Sequence, residues 1–548
     1  MQARRLIPLL VAASVALAGC ADSAGDAAGG DPEGGGADRP VKGGTLAVAI
    51  DSDPGSLNPA ITTSGGTHTA SELMFNGLVE LTPDLEPVPA LAESWEVLEG
   101  GALYRFDLRD GVTWHDGEPF TSADVTYTFE EMLLKLHSRT KASVGAALTS
   151  VTAPDADTVE FRFGKLYAPL LLQLDVTEAP ILPRHVYEGT DVQKNPANNK
   201  PVGTGPFKLV SYTPDSELRF EANRDYFKPD LPHLDEVVMR VIPEKANQVV
   251  ALEAGEVDFL FGTPGPDLSR LKAAGGYDFL TTSLNPGGSN CIMTVSFNLQ
   301  RPMFQDVRLR RALGQALDRE QFVERVLFGQ GRVAEAPISS GIPFAHATGL
   351  EGMPEFDRAA AEQLLDQAGW KRSGDATRTA QGVKGVADGT PLAFGFTHFP
   401  TFSAYAQLLR AQLAQVGAEV TLEPLEPPVF ADTVFKARDF DTNVISYCNG
   451  ADPEIGVKRM YTTANIGPVP FSNSSAYRNP MVDQLFERAR TTVDPAARTA
   501  TYRQLQEQLV QDLPYLWLVE TEATRVFTDR CDGFLPSGHF AETASCRS

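Results

Sequence analysis

Basic residues are scarce in this 548-residue chain, where 47 Lys and Arg face 71 Asp and Glu for a formal net charge of −24. A field of that sign repels phosphate backbones and anionic headgroups, which excludes nucleic acid as an expected partner. Cysteine is rarer still, with five residues, and a chain this long must bury two or more cores whatever its bridges do. Catalytic motifs are missing as well. None of the eight histidines is followed by Glu, and Gly164-Lys165 has Val159 where a P-loop needs glycine. Gly-x-Ser-x-Gly does not occur, and Gly203-Thr204-Gly205 lacks the third glycine of a dinucleotide fingerprint. Ser138-Arg139-Thr140-Lys141 spells the S-x-x-K of exported acyl-enzymes, but no Lys-Thr-Gly follows it. An exported serine enzyme stays only as an alternative. No catalysis, cofactor or resident metal is expected.

What is present begins with an export signal. Arg4 and Arg5 precede an apolar stretch from Leu6 to Ala18, long enough for a signal h-region and short for a spanning helix. It ends in Leu17-Ala18-Gly19-Cys20, which resembles the lipobox of bacterial lipoproteins and makes Cys20 the expected lipidation site. Residues 1–19 then read as a lipoprotein signal peptide. Residues 20–40 carry many Gly and Asp and no large apolar residue, so they read as a flexible tether. No later segment reaches eighteen apolar residues, so the chain is expected to hang from a membrane by lipid, outside the cell or on the periplasmic side.

Exported thiols meet oxidising conditions, and with Cys20 lipidated, Cys291, Cys448, Cys531 and Cys546 form an even set. Two disulfides are expected. Of three pairings the preferred one is Cys531–Cys546, closing a short terminal loop, with Cys291–Cys448. Four zinc-binding thiolates are the alternative, without any C-x-x-C spacing to support them.

Strands and helices alternate along the rest. Thr45 to Ile50, Leu234 to Ile242 and Ile292 to Asn298 have strand character. Asp306 can cap a helix with Leu309, Ala312, Leu313, Ala316 and Leu317 on one face, and Asp318 with Gln321 resembles a capping box for the next. Asp357 opens a helix closed by Gly369, and a further helix through Tyr405 and Leu413 stops at Gly417 before a strand from Glu419. Such alternation predicts α/β layers.

Several separated segments resemble the family 5 extracellular solute-binding proteins, which include dipeptide-, oligopeptide- and nickel-binding components of ABC importers. They are Gly43-Gly44-Thr45-Leu46 leading to Asp53-Pro54 and Leu57-Asn58-Pro59, and Pro89-Ala90-Leu91-Ala92-Glu93-Ser94-Trp95. Leu108 to Gly117, continuing to Asp124-Val125, is the most distinctive, and Gly203 to Phe207 and Asp306 to Arg319 complete the order. The resemblance implies a two-lobed periplasmic-binding-protein-like α/β fold (type II, cluster C) with an extra subdomain in the first lobe. The expected divisions are lobe I at 41–292 with an inserted subdomain at 80–200, lobe II at 293–515, and a C-terminal return to lobe I at 516–548. Strands near Phe297 and Trp517 would cross between lobes as the hinge. Trp95 and Trp114 read as core aromatics and His115 as a turn residue.

The function so implied is capture of a peptide or peptide-like solute between lobes for delivery to an ABC permease and ATPase, by a chain acting as a monomer. Nickel or another non-peptide solute, with His68, His346 and His398 as candidate ligands, and a signalling lipoprotein are the alternatives. In the family's peptide binders an Asp upstream of an Asp-Pro pair meets the peptide ammonium. Here Ser446-Tyr447-Cys448-Asn449-Gly450-Ala451-Asp452-Pro453 places Asn449 at that position, so either Asp452 substitutes or the solute lacks a free amino terminus. Tyr447 belongs to the same candidate site. Thr62, Thr63 and Ser64 of the first lobe, and Phe399, Thr401 and Phe402 before the Tyr405 helix, are the remaining candidate ligand contacts.

Overall fold

The computed structural model describes residues 42–548, apart from residues 63, 286–288, 375, 537–538 and 548 and the side chains of residues 284, 285 and 289. Cys20, the leader, the tether and Thr63 lie outside the described residues.

Thr45–Ile50 is apolar on both faces, which suits a strand covered from two sides, and it lies between two parallel neighbours, Glu236–Val241 and Phe259–Leu260. Around it a seven-stranded sheet runs in the order Tyr277–Thr282, Ala523–Thr528, Phe259–Leu260, Thr45–Ile50, Glu236–Val241, Glu217–Ala222, Phe207–Thr213. A second seven-stranded sheet takes the order Gly331–Val333, Tyr515–Thr521, Ser289–Phe297, Thr442–Asn449, Ala393–His398, Glu419–Pro424, with Leu284–Asn285 paired beside Ser289–Phe297. The fold is therefore α/β with two lobes, each built on its own sheet.

The chain leaves the first sheet at Ser283 and returns to it at Glu522. These crossings displace the expected boundaries at 292 and 516. Ser289–Phe297 and Tyr515–Thr521 lie wholly in the second sheet, where Thr294 sits opposite Trp517. A hydrophobic pattern locates a strand, whereas pairing alone decides its sheet.

Within the span expected for an inserted subdomain, Ala92–Leu98, Leu103–Leu108, Thr158–Phe163 and Leu148–Thr152 form a separate antiparallel sheet. Phe161 meets Phe106 and Phe129 edge to face, at 5.5 and 4.8 Å between ring centroids, and all three belong to the first lobe's core. Trp114 is buried in that core; Trp95 is only half-buried, because Ala92–Leu98 has just one neighbouring strand.

The distinctive loop works as a clamp between segments. His115 donates its backbone N–H to the carbonyl of Gly203, and its Nδ1 accepts from the Gly203 N–H. Burial keeps this imidazole neutral, with its pKa down to about 4. Gly203 and Gly205 have no room for a Cβ, which would fall 1.8 and 2.4 Å from Met74 backbone atoms.

Second-lobe helices follow their caps. Asp306 accepts from Arg308 N ahead of Val307–Gln315, and Asp357 accepts from Ala360 N ahead of Arg358–Gln367. The expected box at Asp318 is different: the next helix is Glu320–Arg325, and Asp318 instead takes a side-chain hydrogen bond from Gln321 at 2.7 Å. One residue of displacement puts Arg319, not Asp318, at the cap.

Candidate functional site

The two lobes meet around a cavity of about 70 Å³. Leu85 and Leu172, from the first-lobe side, join the second lobe's apolar core, and Ala168 donates its N–H to the Arg490 carbonyl at 2.9 Å. The cavity wall from the second lobe is the turn Gly450-Ala451, directly after Thr442–Asn449. That turn is held at two points beside it. Cys291 and Cys448, opposite each other on neighbouring strands, are joined by a disulfide, and Asn290 Nδ2 donates to the Gly450 carbonyl at 3.2 Å. The other bridge, Cys531–Cys546, closes the terminal loop.

The first lobe supplies charge. Glu80, Asp175, Glu178 and Glu542 all line the cavity, together with His539. Lys228 reaches Glu80 at 2.7 Å and Glu542 at 2.9 Å. Burial alone would lower the Lys228 pKa, but these two carboxylates more than offset it and the pKa rises. Glu178 pairs with Arg139 at 3.1 Å. Burial raises Glu178, with Arg139 and, from the second lobe, Arg459 pulling the other way. Asp175 has no ion pair among the described residues. Its carboxylate takes a backbone hydrogen bond from Glu178 at 3.3 Å. Burial and then the Glu178 charge push Asp175 up to about 6, against hydrogen bonds from Glu178 and Thr177.

A larger cavity, of about 480 Å³, lies beside the second crossing. Asp51, Ser52, Gly65, Gly66 and Thr69 of the first lobe face Gln330 of the second there, next to Glu522.

Most residues singled out from sequence have internal duties. Asn449 is 2% exposed, and its Oδ1 lies where a Cβ on Gly456 would be 2.5 Å away, so it packs within the second lobe and does not line the cavity. Asp452 is fully buried and bound to Arg498 at 2.6 Å. Burial opposes the charge on Arg498, yet Asp452 and Tyr502 raise its pKa overall, so this carboxylate is already committed. The Tyr447 hydroxyl donates to the Ser472 carbonyl inside the lobe. Phe399 and Phe402 pack on the second lobe's core and on each other, while Thr401 is exposed. Thr62 accepts from Ser64 N at 3.1 Å, and exposed Ser64 adjoins Gly65 at the larger cavity's rim. His68 is buried in the first lobe beside His137, whereas His346 and His398 belong to the second, bonded to the carbonyls of Ile338 and Phe399. No group of three potential metal ligands occurs among the described residues.

A family model described as bacterial extracellular solute-binding proteins, family 5 middle, matches residues 86–468. The chain belongs to this family. Protein XP55 of Streptomyces lividans is 31% identical over 89% of this chain and 86% of its own length. Among solved structures, the oligopeptide-binding protein AppA of Bacillus subtilis in complex with a nonapeptide matches 93% of this chain and 100% of its own, at 24% identity and a TM-score of 0.72. NikA from Brucella suis in complex with Fe(III)-EDTA matches 91% and 98%, at 24% identity and a TM-score of 0.79. Family membership makes the interlobe cavity the candidate seat of the solute. No helix among the described residues is long and apolar enough to cross a membrane.

Sequence reasoning missed Glu80, Asp175, Glu178 and Glu542 entirely. They lie as much as 462 residues apart in the chain, by 542 − 80, and carry no common spacing. The one usable signal was Asp175 and Glu178, three residues apart in a stretch from Ala168 to Leu182 whose other polar residues are Gln173 and Thr177.

Proposed function

We propose that this solute-binding protein is the extracytoplasmic receptor of an ABC importer, closing its two lobes on a peptide or peptide-like solute and passing it to a permease without catalysis. The observation that carries the reading is a cavity walled by both lobes, which are joined by crossings at Ser283 and Glu522. Two strand-to-strand crossings form a hinge that lets each core stay rigid while the gap between them opens and shuts. Binding energy then goes into the closed state, because only there do both walls touch the guest. The disulfide behind Gly450-Ala451 supports this by holding the second-lobe wall in shape before the guest arrives. The similarity to AppA supports a peptide class of solute.

The receptor acts as a monomer, exported and anchored through a lipid on Cys20, with residues 20–40 as its tether. Loss of palmitate labelling in Cys20→Ser checks the anchor. Small-angle scattering of the delipidated protein with a tripeptide mixture, alongside mass spectrometry of solutes released on denaturation, tests the function. Compaction and a bound peptide are expected; neither compaction nor any peptide-like solute would overturn the reading.

A further inference from the structure

The acids around the interlobe cavity are unequally paired. Lys228 is shared between Glu80 and Glu542, and Arg139 is taken by Glu178. His539 is held inside the first lobe, its Nδ1 against the Glu72 carbonyl and its Nε2 2.9 Å from Asn76 Nδ2. Its Nε2 is 3.7 Å from Glu80 Oε1, so the carboxylate it faces is Glu80 and not Asp175. Arg459 gives one Nη to the Cys448 carbonyl at 3.2 Å. Asp175 lines the cavity with no ion pair among the described residues.

Elsewhere in the first lobe a second buried acid has no counter-ion among the described residues. Glu72 is 5% exposed, and no hydrogen bond or ion pair reaches its carboxylate among the described residues. Arg525, the cation nearest in effect, spends its Nη groups on the carbonyls of Leu535 and Pro536, at 2.7 Å each. Burial pushes Glu72 up to about 8; Arg525 offsets part of that and the Asp175 charge adds to it. Glu72 thus keeps its proton at neutral pH, which leaves Asp175 as the ionised acid that a cation entering the cavity would stabilise.

We propose that the interlobe cavity seats a cationic nitrogen group of the solute, with the Asp175 carboxylate as its counter-ion. The inference rests on the solute-binding reading. The cavity's volume, about 70 Å³, suits a head group and not a whole peptide, so the rest of the solute lies elsewhere between the lobes. Because the charge comes from the first lobe, the neutral Asn449 gives no ground for a blocked solute.

Three tripeptides separate the possible sources of the cation. Ala-Ala-Ala offers a terminal ammonium, N-acetyl-Ala-Lys-Ala a side-chain ammonium, and N-acetyl-Ala-Ala-Ala neither. Calorimetry at pH 7 is expected to show one of the two amines binding at least tenfold tighter than the acetylated neutral peptide, with that preference gone in Asp175→Asn. On the unmutated protein, affinity for the preferred amine is expected to fall about tenfold from pH 7 to pH 5, as protons compete for Asp175. At pH 7 its binding should also release protons, read as different heats in phosphate and Tris. If all three peptides bind equally, or the neutral one binds best, the inference is overturned while the receptor reading survives. If none binds and none compacts the protein, both fall.

Discussion

The two walls of the cleft are built on opposite plans. The first lobe presents ionisable side chains drawn from Glu80, the Asp175 and Glu178 segment, and the C-terminal Glu542. The second lobe presents the backbone turn Gly450-Ala451, seals Asp452 and Arg498 inside, and lends one cation, Arg459, which acts on Glu178. The comparison teaches that charge selection and shape are assigned to different lobes. A wall of braced backbone closes on a wall where Asp175 has no ion pair among the described residues, so the guest completes the electrostatics as the lobes meet.

Breaking the second lobe's internal pair should have the largest effect. Asp452→Leu leaves Arg498 buried without its partner, and thermal or denaturant unfolding should show a loss of about 3–5 kcal/mol. Next comes the brace behind the turn. Replacing Cys291 and Cys448 together by Ala frees two strands 157 residues apart in sequence, with an expected cost of about 2–5 kcal/mol in denaturant melts and weaker solute binding as the turn loosens.

The first-lobe wall should respond in the other direction. Asp175 has its pKa raised to about 6 in the fold, above the unfolded value of about 3.9. Between those values the native state holds more protons than the unfolded state, so Asp175 lowers stability as pH rises through that window. Asp175→Asn should therefore raise the melting temperature at pH 7 and leave it unchanged near pH 3, as differential scanning fluorimetry would read. The smallest effect is expected at Asn449. Its Oδ1 has no hydrogen-bond partner among the described residues and it stands off the cavity, so Asn449→Ala should shift unfolding by under about 1 kcal/mol and leave affinity for an amine peptide unchanged. A tenfold loss of affinity there would move charge recognition back to the second lobe.

Much of the fold was legible in the sequence because local chemistry sets it. Thr45 to Ile50 reads as a two-sided buried strand, and Asp306 and Asp357 read as caps, each from residues within one turn of each other. The segment patterns around Trp114 and Gly203 were legible as structure, since His115 and the two glycines serve backbone contacts and not a ligand. The site was not legible in the same way. Asn449 and Asp452 looked available because a sequence shows residue type without direction, and in the fold their side chains turn inward to Gly456 and Arg498. The crossings at Ser283 and Glu522 escaped notice for a related reason: a strand's pattern says that it is buried and not against which sheet.

The sequence by itself determined the family, the α/β elements, the net negative charge and the even set of four cysteines, because each depends on residue type and near neighbours. Only the tertiary structure decided which carboxylates share the cleft and which of them lacks a cation. Those facts depend on distances between segments hundreds of residues apart, and Coulomb energy follows distance and burial in space, not separation along the chain.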